Sequence, residues 1–131
     1  MFYLIVFLGA GIGGALRHGI NVLADRAFGP AFPFGTFIVN VLGSLLLGML
    51  IGLFSYRAGL VPQHARLFLT TGLLGGFTTF STFSLDAALL LERHSYLTAT
   101  SYIVGSVAVS LVMFFVGVAL FNGSMNTRWS L

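Results

Sequence analysis

Tyr102, Ser106 and Ser110 recur at four-residue intervals, a spacing that stacks three hydroxyls in one stripe of a helix. A row of neutral donors can replace part of a small anion's hydration without trapping the ion as a fixed cation would. Equally, hydroxyls at such positions can bond back to their own backbone, and spacing alone leaves both readings open. Asn40 is the only carboxamide in its apolar stretch. Its NH2 has two protons to donate, which suits an anion, but a lone amide also serves as a hydrogen-bonding tie between helices. The third polar set is Gly75-Gly76-Phe77-Thr78-Thr79-Phe80-Ser81-Thr82-Phe83-Ser84. Adjacent glycines followed by Thr/Ser alternation make a poor continuous helix. The expectation is a helix ending near Gly75 and another starting near Thr79, with freed carbonyls facing a cation and freed amides an anion. The alternative is an unbroken helix whose hydroxyls bond to the preceding turn. Phe80 and Phe83 follow as i, i+3 neighbours. A phenyl edge is electropositive, so edges aimed into a water-filled path could stabilise a partly dehydrated anion, although Phe in such a stretch also serves packing and lipid contact.

The elements that must position these residues are membrane helices. Of the 131 residues, 57% are hydrophobic and only 7% charged, with a mean hydropathy of +1.01. A soluble domain carries roughly 25% charged residues, so this chain cannot cover a globule with polar side chains. Crossing the hydrocarbon takes about 20 apolar residues as a helix. Four stretches qualify, over residues 2–24, 35–56, 66–91 and 97–121. The connections hold Pro30, Pro33 and Pro62 or charge, as turns do. This predicts an all-α, four-pass integral membrane domain in one unit, with the third helix broken in mid-membrane. The apolar start has no basic residue ahead of it, unlike a cleaved signal peptide, so the first segment is expected to stay in the mature protein. Tyr3, Tyr56, Tyr96 and Trp129 fall at span ends, where an amphipathic ring sits at the headgroups, whereas Tyr102 lies more than a turn inside the fourth span. The tail from Asn122 is polar and is expected to fray.

Ser44, Gly48 and Gly52, and again Gly72 and Gly76, follow a four-residue interval that lets helix backbones approach closely in lipid; this reads as packing. Gly9, Gly11 and Gly14 spell a dinucleotide-like G-x-G-x-x-G, but they sit inside a span with no strand before them and no acidic residue at the ribose distance.

Six arginines, no lysine and three acids, Asp25, Asp86 and Glu92, give a net charge of +3. The arginines are scattered singly and form no nucleic-acid patch. Arginine bias sets membrane orientation. Here Arg57, Arg66 and Arg128 share one side, Arg26 and Arg93 the other, and Arg17 leans toward the latter. Neither orientation wins, which predicts a chain that inserts both ways and pairs as an antiparallel dual-topology homodimer. Without cysteine there are no disulfides or thiolate nucleophiles. His18, His64 and His94 are far apart and lack ligand spacing, so no enzyme is expected.

Gly13-Gly14-Ala15-Leu16-Arg17, Gly35-Thr36-Phe37-Ile38-Val39-Asn40 and the run from Gly72 to Ser84, together with Tyr102, Ser106 and Ser110, resemble the small dual-topology fluoride channels of the Fluc or CrcB family. The likeness covers all four spans. It implies an antiparallel homodimer in the plasma membrane with two pores that passively export fluoride. By matching positions it implies that Phe80 and Phe83 turn ring edges to fluoride and that Asn40 and Thr79 belong to the pore. Tyr102, Ser106 and Ser110 would form a polar track, and Arg17 would draw anions to an entrance. The backbone carbonyls of Gly75 and Thr78, once from each subunit, would hold a structural sodium ion on the twofold axis. Asp86 departs from the family pattern, in which a longer glutamate usually follows the Phe-Ser pair. The rival from another class is a small multidrug-type proton-coupled transporter, also four-pass and dual-topology. It needs a membrane-buried carboxylate for proton exchange, and the first span has none. A third reading is a membrane assembly subunit without transport of its own.

Overall fold

The computed structural model describes residues 1–57 and 59–121, and every regular element among them is helical. Four stretches are long and apolar enough to cross a membrane: Phe2–Phe28, Phe34–Tyr56, Gln63–Glu92 and Tyr96–Phe121. The first is helix α1 and the second α2. The third begins as α3, Gln63–Leu67, continues as a π-helical segment, Phe68–Leu74, and ends its first half as the short α4, Gly75–Phe77. It resumes as α5, Phe80–Glu92, and the fourth span is α6, Tyr96–Phe121. Trp129, Arg128 and the polar tail from Asn122 lie outside the described residues.

The largest departure from the expected boundaries is in α1, which runs past Ala24 to Phe28 and takes Asp25 and Arg26 into its last turn. Those charges do not stop the helix, because a helix end at headgroup depth can carry them, and Arg26 complements the negative C-terminal dipole. Gly29 stops it instead: with φ at 74° its amide turns back to the Asp25 carbonyl at 3.0 Å. Pro33 then precedes α2, and Pro62 precedes α3, where a residue without an N–H costs nothing.

Two contacts set the arrangement. Helices α2 and α6 meet backbone to backbone: a Cβ on Gly48 would strike the Phe114 carbonyl, and one on Gly117 would stand 2.7 Å from the Met49 amide nitrogen. The first half of the third span lies on α1 in the same way, a Cβ on Gly76 meeting the Ala10 Cα at 2.7 Å. Side chains as small as these let dispersion contacts replace the hydrophobic drive that lipid does not supply. Val39, Leu74 and Phe77 fill the centre, and Phe83, Ala87, Leu90, Ala99 and Tyr102 form a second cluster beside α5. Most of the remaining apolar surface faces outward: even in α2, only seven of 23 residues are buried. That suits a chain whose surroundings are acyl chains.

Candidate functional site

Between α4 and α5 the backbone leaves the helix for two residues. Thr78 has φ −80° and ψ 160°, and Thr79 has φ −154° and ψ 125°. Two side-chain oxygens hold it there. Asn40 Oδ1 accepts the Thr79 amide at 2.8 Å, while Asn40 Nδ2 donates to the Thr79 carbonyl at 2.9 Å. Thr79 Oγ1 in turn accepts the Thr82 amide at 3.1 Å and so caps the N-terminus of α5.

In a continuous helix the Thr79 amide would bond to the Gly75 carbonyl and the Thr82 amide to the Thr78 carbonyl. Both amides are taken by side chains, which frees those two carbonyls from their usual partners. Asn40 therefore acts first as a clamp on the chain of a neighbouring helix, with one of its two amide protons committed to that clamp. Of the two readings of Asn40, this is the hydrogen-bonding tie.

The clamp borders a cavity of about 330 Å³ whose lining includes Asn40, Ser44, Thr70, Gly75, Thr78, Thr79, Phe80, Phe83, Ser106 and Ser110. Its hydroxyls fall into two classes. Thr70 donates to the Arg66 carbonyl at 2.9 Å, Thr78 to the Leu74 carbonyl at 3.0 Å, and Thr79 to Thr82 Oγ1 at 3.1 Å. Their protons are committed, so toward the cavity they offer lone pairs. Ser106 Oγ and Ser110 Oγ are buried and have no partner among the described residues. They are not bonded to their own backbone, unlike Ser84, whose hydroxyl donates to the Phe80 carbonyl at 2.9 Å. A buried hydroxyl without a partner costs roughly 1–3 kcal/mol, and it keeps a proton ready for an acceptor in the cavity.

The third member of the expected stripe turns elsewhere. Tyr102 is fully buried and its hydroxyl donates to Asp86 Oδ2 at 3.1 Å; it does not line the cavity. Its ring joins an aromatic row. Phe80 and Phe83 stand 5.4 Å apart, Phe83 and Tyr102 5.3 Å, and Tyr102 meets Phe32 nearly edge-on at 5.5 Å and 89°. Beyond the row is a second cavity of about 140 Å³, lined by Phe32, Asp25, Asp86 and Arg93 among others. The row thus runs from the larger cavity, lined by Phe80 and Phe83, to the smaller, lined by Phe32. Asp86 reaches both Tyr102 and this second cavity.

Eight of the ten residues singled out in the sequence, Asn40, Gly75, Thr78, Thr79, Phe80, Phe83, Ser106 and Ser110, therefore meet on one cavity. Tyr102 lies behind it. Arg17 is half-buried on α1, 3.8 Å from where a Gly14 Cβ would stand, and lines neither cavity. Sequence reading missed Phe32, hidden in a loop between prolines, and Thr70, whose place follows from the π-helical segment. Nothing in the composition of Phe68–Leu74 signals that winding. In the opposite sense, Phe80 is 77% exposed while Phe83 is buried, so one ring of the pair is left open to whatever lies beside the chain.

Residues 4–118 match the family described as "CrcB-like protein, Camphor Resistance (CrcB)". Among similar proteins, "Fluoride-specific ion channel FluC" of Rhodopseudomonas palustris (strain BisB5) is 53% identical over 120 residues, covering 92% of this chain and 96% of the relative. The protein of the same name from Methylobacterium sp. (strain 4-46) is 62% identical over 108 residues, 82% of this chain and 86% of its own. That from Granulibacter bethesdensis is 58% identical over 111 residues, 85% and 87% of the two chains. With four membrane-crossing helices and a match along nearly its whole length, this multi-pass chain belongs to the CrcB family.

Proposed function

We propose that this chain is a passive, fluoride-selective ion channel in the plasma membrane, working as an antiparallel homodimer with two pores. The observation that carries the reading is the pair of buried, unpartnered hydroxyls of Ser106 and Ser110, set in one cavity with the rings of Phe80 and Phe83. Relatives that share more than half of the aligned residues bear the name of fluoride-specific channels, which supports the choice of ion.

Fluoride is small and strongly hydrated, and passage through a narrow path requires groups that replace its water as it sheds it. The two serines, the remaining amide proton of Asn40 and the edges of Phe80 and Phe83 are neutral donors of that kind. None of them is a cation that would hold the ion in place. Tyr102 keeps its hydroxyl on Asp86 and contributes the ring that backs Phe83. Arg17 acts at a distance, raising the local anion concentration near an entrance. The exposed ring of Phe80 is covered by the second protomer, which inserts in the opposite orientation because arginine bias favours neither side.

The interruption at Thr78 and Thr79 lies at membrane depth. Irregular backbone there is tolerated only where protein or water covers it, and the Asn40 clamp and the cavity supply that cover. The freed carbonyls of Gly75 and Thr78 form a hard, oxygen-only donor set at the negative end of α4, which fits a sodium ion better than an anion. These two carbonyls from each subunit would hold the ion, and it would supply positive charge that ties the two interrupted helices together. Thermal unfolding in sodium against N-methylglucamine tests this: a higher midpoint in sodium is expected, and equal midpoints would remove the ion from the account.

Purified protein in liposomes loaded with fluoride tests the channel itself. Release read by a fluoride electrode, abolished or strongly cut by Phe80→Ile or Phe83→Ile with assembly intact, is the expected outcome. Unchanged release in both variants would refute the role given to the rings. Proton-coupled drug exchange gains nothing here, because the membrane-span carboxylate, Asp86, is already engaged by Tyr102.

A further inference from the structure

In the sequence, Ser44 is the first member of a small-residue repeat with Gly48 and Gly52, and the three read together as a packing surface. The structure divides them. Gly48 and Gly52 are buried against the backbone of α6, whereas Ser44, one turn earlier, is half-buried and lines the larger cavity.

The glycine contacts also fix the register. Gly48 faces Phe114 and Val118, and Gly52 faces Val118 and Phe121, so α2 and α6 run parallel in the same step. One turn back on both helices, Ser44 stands opposite the turn from Ser110 to Phe114. That register sets Ser44 level with the turn that begins at Ser110, and Ser106 lies one turn earlier on α6. All three line the same cavity.

Proton availability separates Ser44 from the threonines there. Thr70, Thr78 and Thr79 have each committed their hydroxyl proton. Among the described residues the Ser44 hydroxyl makes no hydrogen bond, as those of Ser106 and Ser110 make none. The free donors therefore sit on the α2–α6 side of the cavity, and the third span presents carbonyls and lone pairs. A cavity divided in this way favours an anion along the α2–α6 wall.

We propose that the Ser44 hydroxyl is a further donor to the permeating anion, continuing the ladder of Ser106 and Ser110 by one rung. This rests on the channel reading above. The full chain, reconstituted in liposomes as Ser44→Ala, Ser44→Thr and Ser44→Cys beside the wild type, tests it by fluoride-electrode efflux, with size-exclusion and thermal unfolding as controls. Ser44→Ala is expected to lower the efflux rate about fivefold, the order of factor that one net hydrogen bond represents, at an unchanged unfolding midpoint. Ser44→Thr keeps the hydroxyl and is expected to retain most of the rate. Should Ser44→Ala fail to assemble, Ser44→Cys, similar in size and a weaker donor, takes its place and is expected to be slower than wild type. Wild-type rates in Ser44→Ala, or in Ser44→Cys where it stands in, overturn the proposal. So does an equal loss in Ser44→Ala and Ser44→Thr, which would mark a packing effect. Absence of efflux from the wild type itself would instead remove the channel reading on which the inference stands.

Discussion

The α2–α6 pair and the third span solve the same problem, burying a polar backbone in lipid, in opposite ways. Helices α2 and α6 are unbroken over 23 and 26 residues, satisfy their own amides, and touch through Gly48 and Gly117 where any side chain would intrude. The third span gives up its helix at Thr78 and Thr79 and relies on Asn40 and Thr79 to hold the displaced amides. Regular backbone makes a wall on which side-chain hydroxyls can stay free. Interrupted backbone makes a site in which main-chain carbonyls lose their helical partners. The cavity lies where the two meet, and each side brings donors or acceptors that the other lacks.

The comparison can be broken first on its regular side. Gly48→Leu would drive a side chain into the Phe114 carbonyl and cost about 3 kcal/mol or more through overpacking; loss of the folded protein on size-exclusion is expected. Next is the clamp. Asn40→Ala strands the amide and carbonyl of the buried Thr79, a penalty of about 3 kcal/mol. Fluoride efflux should fall more than a hundredfold, with a lowered unfolding midpoint. A variant that folds and conducts normally would mean that the interruption holds itself. Phe83→Ile removes a ring but no backbone support, so efflux should fall about tenfold, equivalent to about 1.4 kcal/mol of aromatic contact, while the midpoint stays within a few degrees. The smallest effect is expected of Tyr102→Phe. It removes the bond to Asp86 and keeps the ring against Phe83, for about 1 kcal/mol and a several-fold drop in rate. A larger loss than that of Phe83→Ile would place the Tyr102 hydroxyl in the path after all.

Much of this site was legible because lipid makes polarity conspicuous. In so apolar a chain Asn40, the Thr/Ser run and the two serines of α6 stood out by type alone, and four-residue spacing placed Ser106 and Ser110 on one stripe. Other features depend on partners that lie far away in sequence. That Asn40 would use both ends of its amide on Thr79 depends on how α2 approaches a residue 39 positions later. Tyr102 shares the serines' stripe, yet its longer side chain carries the hydroxyl away to Asp86. The same holds for Ser44, whose spacing to Gly48 and Gly52 suggested a single surface until the α6 register separated them. The extension of α1 to Phe28 was hidden because Asp25 and Arg26 look like loop charges, though a helix end at the headgroups accommodates both.

The most direct test of neutral donors guiding a bare anion is parallel recording of fluoride and chloride release from vesicles holding the purified protein. Rapid loss of fluoride with chloride retained is the predicted result. Release of both ions at similar rates, or of neither, would contradict it.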